Sequence, residues 1–280
     1  MILCADIVKD ATEGYLDPKE QAFTASWFRH IPESVLPTYT AVLLMSNLSG
    51  VEISEFIVYM IVPVIALAGL GYAVYLHRIP NDTGTPASTN RAADFAHLIQ
   101  HLWSLLLILI LILVFHFQVV TSVLVSIALC IIIYRVTLDE IRKFIFAAFE
   151  KKMLGNTFLV LCLKELIAHT GVLLLLPDAM AKLPLPTYLI FGLLFFTATV
   201  ISGSTGAIAM GTPLAFAAIP GGAPLMAYLM CMAHAASQIS PTHVCLVVAA
   251  DYFHVTLGDI VKKTLPVSIA FCVLMTLYYN

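Results

Sequence analysis

Residues 187–219 read TYLIFGLLFFTATVISGSTGAIAMGTPLAFAAI, 33 apolar or small residues without a single charge. As one straight helix this run would be about 50 Å long at 1.5 Å per residue. A bilayer core is only about 30 Å thick. Ser202-Gly203-Ser204-Thr205-Gly206 sits near its centre, and glycine and small hydroxyl residues are where a membrane helix can open. The run therefore predicts a broken helix. Close helix packing through small residues is the other physical use of such a stretch.

The rest of the chain agrees that lipid is its solvent. Of 280 residues, 60% are apolar and 11% are charged, and mean hydropathy is +0.95. A soluble domain carries about 25% charged residues. A chain this poor in charge cannot cover its surface in water. The net charge of −3 offers no basic face for nucleic acid. The six cysteines are scattered without a CxxC pair, which reads as small buried hydrophobes.

Stretches that approach the roughly 20 apolar residues of a crossing are 36–48, 53–76, 98–115, 119–134 and 265–279, with a shorter one at 223–236. Residues 157–184 are apolar but carry Lys164, Glu165, His169 and Gly171 near their middle. That length suits two short helices, so a re-entrant hairpin is expected. Between them, 136–153 alternates apolar and charged residues at helical spacing, which predicts either a helix in the interface or an extension of the fourth span. The fold class expected is all-α, with about seven crossings, a re-entrant hairpin and a broken helix. Basic residues test this map: every Lys and Arg except Lys164 falls on one side, while the turns at 47–54, 115–118 and 219–223 hold none. The N-terminus is then cytoplasmic and the C-terminus outside.

Two interrupted segments close in sequence are the usual pointer to a transporter's binding site, where half-helix N-termini hold an anion and free carbonyls hold Na⁺. The expected substrate residues are His169, Thr170 and Gly171 at the hairpin tip and Ser202, Gly203, Ser204, Thr205 and Gly206 at the break. Ser240-Pro241-Thr242-His243 adds Thr242 and His243 at a predicted helix N-terminus, a position that favours an anion; a plain cytoplasmic turn is the alternative. Glu165 and His169 are four apart and share a helical face, which predicts a proton or ion-coupling pair. Lys164 snorkelling to the interface and Glu165 facing a scaffold partner is the rival reading. His97 and His101 are also four apart, but with no partner beyond Asp94 they do not read as a metal site. Gly203-Ser204-Thr205-Gly206 is superficially similar to a serine-protease turn, yet no histidine is paired with it by spacing. No catalytic residue, metal or cofactor is expected, apart from Na⁺ as a coupling ion.

At these residues the chain resembles an uncharacterised integral-membrane family of the ion-transporter superfamily, which includes citrate, gluconate and C4-dicarboxylate permeases. The likeness is carried by Leu16-Asp17-Pro18 with Trp27-Phe28-Arg29-His30, by Lys164-Glu165 with Thr170-Gly171, by 202–213, and by Ser240-Pro241-Thr242-His243 through Asp251-Tyr252-Phe253. The resemblance implies two repeats, each with a hairpin and a broken helix, in a homodimer that moves solute by an elevator-like or rocking motion. The Ser-Asn-Thr tip signature of those permeases is not kept here, so their ligands do not carry across. Ile239-Ser240-Pro241 followed by Tyr252-Phe253 and Leu265-Pro266 echoes Leu16-Asp17-Pro18, Trp27-Phe28 and Leu36-Pro37. On that reading the chain is N-terminally short: 1–50 are the tail of a first repeat and the first span, 51–135 scaffold spans, 136–153 the interfacial helix, 154–184 the hairpin, and 185–280 the broken helix and C-terminal spans. The function expected is a secondary transporter of a small organic anion, coupled to Na⁺ or H⁺ in the inner membrane. A non-transporting half-transporter subunit is the alternative, with an intramembrane enzyme a remote third.

Overall fold

The computed structural model describes residues 2–80, 89–148, 184–241 and 243–279, together with Phe158, Cys162, Leu166 and His169. Among the described residues there are twelve α-helices and two short 3₁₀ turns, and no strand. Two compact units divide the chain: Met1–Thr83 with Leu163–Asn280, and Gly84–Cys162.

In the larger unit the helices are α1 (Ile2–Thr12), α2 (Pro18–His30), α3 (Thr40–Ser49), α4 (Ile53–Val74), α8 (Thr187–Ser202), α9 (Ser204–Ala218), α10 (Gly222–Ser237), α11 (Val244–Tyr252) and α12 (Leu257–Tyr278). The centre is α10, buried along nearly its whole length. Its alanines at 223, 227, 233, 235 and 236 let neighbouring backbones approach closely, the usual device for packing helices where lipid removes the hydrophobic drive. Helices α3, α4, α8, α9 and α12 surround it. The 33-residue run is two helices parted at Gly203, whose φ of 81° and ψ of 163° lie in a region essentially reserved for glycine. The halves fold back on each other: a Cβ on Gly211 would sit 2.5 Å from Phe195 Cε2.

Helix α2 is polar yet buried. Asp17 caps it, accepting from the Lys19 and Glu20 N–H groups while Glu20 reaches back to the Asp17 N–H, a reciprocal capping box. Pro18 follows at the first turn, where a missing N–H costs nothing. Trp27 inserts toward α4 and donates its indole N–H to the Leu67 carbonyl at 2.8 Å. Gly71 makes room for it, since a Cβ there would meet Trp27 Cδ1 at 2.6 Å.

Among the described residues, three helices are long and apolar enough to cross a membrane: α4, α12 and α5 (Arg91–Leu113) of the smaller unit. On α4, Val58, Ile61, Val62 and Ile65 are exposed, a stripe at helical spacing. On α12 the exposed set is Leu265, Ile269, Val273 and Leu277. Such continuous apolar stripes suit hydrocarbon rather than water.

Several boundaries differ from those that hydropathy predicts. The first span is expected over 36–48, but α3 begins only at Thr40 and its ten residues reach about 15 Å. Pro32 and Pro37 precede it, and the chain uses a 3₁₀ turn at Ile31–Ser34 instead. The last span starts at Leu257 rather than 265, because Thr256 and Asp259 form a second capping box and Pro266 is tolerated inside. In the smaller unit α5 packs on α6 (Val119–Ile133), and α7 (Leu138–Ala148) falls within the expected interfacial segment. Leu138, Phe144 and Ile145 of α7 are exposed. Most of the expected hairpin lies outside the described residues.

Candidate functional site

Where α8 and α9 part, helix geometry leaves the first N–H groups of α9 without intrahelical acceptors. Gly203 is the N-cap and brings no side chain to cap them. Ser204 and Thr205, the first two residues of α9, line a cavity of about 180 Å³. The opposite wall comes from the N-terminal third of the chain: Glu33 and Ser34 of the 3₁₀ turn, and Tyr39, Thr40 and Ala41 entering α3. Helix α10 supplies Met230, His234 and Ser237, and His243 closes the set. The segment before α11 is held to the break by Ser240, whose hydroxyl donates to the Val200 carbonyl at 2.9 Å.

The strongest polar feature beside the cavity is a pair of histidines from distant parts of the sequence. His30 ends α2 and His243 precedes α11; their Nε2 atoms are 2.8 Å apart and the rings meet edge to face. His30 Nδ1 lies 2.6 Å from the Ser26 carbonyl. A carbonyl can only accept, so His30 Nδ1 carries a proton and its Nε2 is the lone pair. His243 Nε2 is then the donor of the pair. Burial, reinforced by His243, His234 and the Arg29 charge, pushes His30 down to about 3. Burial likewise lowers His243, with Glu33 opposing. Both rings are therefore neutral at physiological pH. Arg29 and Glu33 pair with each other at 2.6 Å, which balances charge at the rim. Deeper in, His234 contacts the Gln238 amide nitrogen at 3.4 Å, while the buried Gln238 Oε1 has no partner among the described residues.

Of the residues expected at the site, the fold brings Ser204, Thr205 and His243 to one cavity. Gly203 makes the break itself. Ser202 is turned away: it is exposed and its hydroxyl donates to Ala198 in its own helix at 2.8 Å. Gly206 serves the break by packing, as a Cβ would meet Ser202 Oγ at 3.0 Å. His169 is exposed, while Glu165, Thr170, Gly171 and Thr242 lie outside the described residues. Glu33, His30 and His234 were not singled out by spacing. His30 entered only within the motif Trp27-Phe28-Arg29-His30, Glu33 lies one turn from Arg29, and only long-range folding joins them to His234 and His243; the polar character of buried α2 is a further sequence signal that points there.

The chain was compared with known proteins. Residues 1–280 match the model of a family described as "Protein of unknown function (DUF401)". No curated protein matches the chain.

Proposed function

The chain belongs to the DUF401 family, and we propose, from the geometry of its helix break, that it is a secondary transporter of a small organic anion, driven by a Na⁺ or H⁺ gradient. The observation that carries this reading is the uncapped start of α9 opening on a polar cavity within a bundle whose outer faces are apolar. Unpaired backbone groups at membrane depth are tolerated where they line a cavity or bind something, and a helix N-terminus favours a negative charge. Hydroxyls of Ser204 and Thr205 would complete the hydrogen bonds to a carboxylate. The topology belonging to this reading is seven crossings with the N-terminus cytoplasmic, in a homodimer of the inner membrane.

Uptake into proteoliposomes, measured over a panel of mono-, di- and tricarboxylates with imposed Na⁺ or H⁺ gradients, tests it. At least one carboxylate should accumulate. Replacing both Ser204→Ala and Thr205→Val should reduce its uptake roughly tenfold, about 1.4 kcal/mol. Absence of gradient-driven flux for every solute in the panel would remove the proposal.

A further inference from the structure

We propose that His30, His243 and Cys245 form a binding site for a transition-metal dication of the Zn²⁺ kind. One ring nitrogen from each histidine and the Cys245 sulfur all lie within 4.8 Å of one another. Two imidazoles and one thiol are the donor set that suits Zn²⁺ and excludes the oxygen-preferring Mg²⁺ and Ca²⁺. His30 already has the orientation of a metal ligand: its Nδ1–H is held by the Ser26 carbonyl, which fixes the tautomer and turns the Nε2 lone pair outward. That lone pair points at His243 Nε2, so the two nitrogens converge on one small space.

Bonds of about 2.0 Å to nitrogen and 2.3 Å to sulfur place tetrahedral ligand atoms roughly 3.3–3.7 Å apart. The ion would therefore open the histidine pair by about half an ångström from its 2.8 Å separation and draw Cys245 inward. Both movements are local, because His30 is the last residue of α2, His243 the residue before α11 and Cys245 a residue of α11's first turn. Binding replaces the N–H···N hydrogen bond: the His243 ring proton moves to Nδ1 and the Cys245 thiol loses its proton to solvent, one proton released per ion. Arg29 is already paired with Glu33, so no uncompensated cation opposes the charge. His243 also lines the cavity at the helix break, which leaves the fourth coordination position for water or a carboxylate. The site stands on its three donors and does not depend on transport.

The test uses the full chain in detergent, without a polyhistidine tag and stripped by a chelator. Zn²⁺ titrated against a chromophoric chelator should bind at one per chain. Cys245→Ser, a change at a partly exposed side chain, should weaken binding at least roughly tenfold, and His30→Gln and His243→Gln should do at least as much. Co²⁺ in place of Zn²⁺ should give a thiolate charge-transfer absorption that Cys245→Ser removes and Cys272→Ser keeps. No stoichiometric Zn²⁺ in the wild-type chain overturns the site, as does unchanged affinity in Cys245→Ser. Because the readout is binding alone, either failure leaves the anion-transport reading standing.

Discussion

Pro63 sits inside α4 and has no N–H, so the carbonyl four residues earlier, on Tyr59, loses its helical donor. The Tyr279 hydroxyl donates to that carbonyl at 2.7 Å. A residue just past the last helix thus repairs a defect in the middle of another. Removing the hydroxyl with Tyr279→Phe should lower stability by about 1 kcal/mol, read as a shift in thermal unfolding of the purified chain in detergent. With Pro63→Ala already in place, the restored N–H takes the Tyr59 carbonyl, and the same Tyr279→Phe change should cost little. The double-mutant cycle should therefore show coupling of about 1 kcal/mol; equal effects in both backgrounds would mean the hydroxyl acts elsewhere. None of this pairing is legible in the sequence, since 220 positions separate the partners and no local spacing encodes them. Trp27 over Gly71 is of the same kind: each residue can be read, the meeting cannot.

At the scale of an element, the broken helix is the feature read most fully from sequence, because its cause is local. An apolar run too long for one crossing with Ser-Gly-Ser-Thr-Gly at its centre must bend or open there. Which glycine does it was not legible, since the two differ only in backbone angle. Gly203 has φ of 81° and ψ of 163°, where a Cβ costs on the order of 1–3 kcal/mol. Gly206 is an ordinary helical residue whose added Cβ would press on the Ser202 hydroxyl, an exposed group that can turn at the loss of its one bond to the Ala198 carbonyl. Gly203→Ala should therefore lower the unfolding midpoint clearly, and Gly206→Ala by much less, both with helix content by circular dichroism kept. A larger loss from Gly206→Ala would place the break one turn later. The short α3 was misjudged for the complementary reason: hydropathy counts apolar residues, but Pro32 and Pro37 deny the early ones a continuous helix.

For the molecule as a whole, hydropathy found the apolar helices, though not α1 and the polar α2, and could not rank their burial. It treats 223–236 as a short crossing, whereas α10 is the centre against which the larger unit packs. Three of the basic residues in the charge pattern, Lys19, Arg78 and Lys263, do meet in the fold. Glu20 of α2 accepts from Arg78, just past α4, at 3.0 Å and from Lys263, in α12, at 3.4 Å. At the other end of the same two helices Tyr279 reaches Tyr59. Helices α4 and α12 therefore run antiparallel, with the C-terminal end of one and the N-terminal part of the other meeting at a cluster of basic residues. The orientation we propose from the positive-inside rule would turn that cluster to the cytoplasm and Tyr279 to the opposite side. A phosphatase reporter, active only outside the cytoplasm, should be inactive when fused after Ile79 and active when fused after Tyr279. The antiparallel geometry requires the two fusions to disagree whatever the orientation. Activity after Ile79 alone would invert the map, while activity in both would break the α4–α12 pairing.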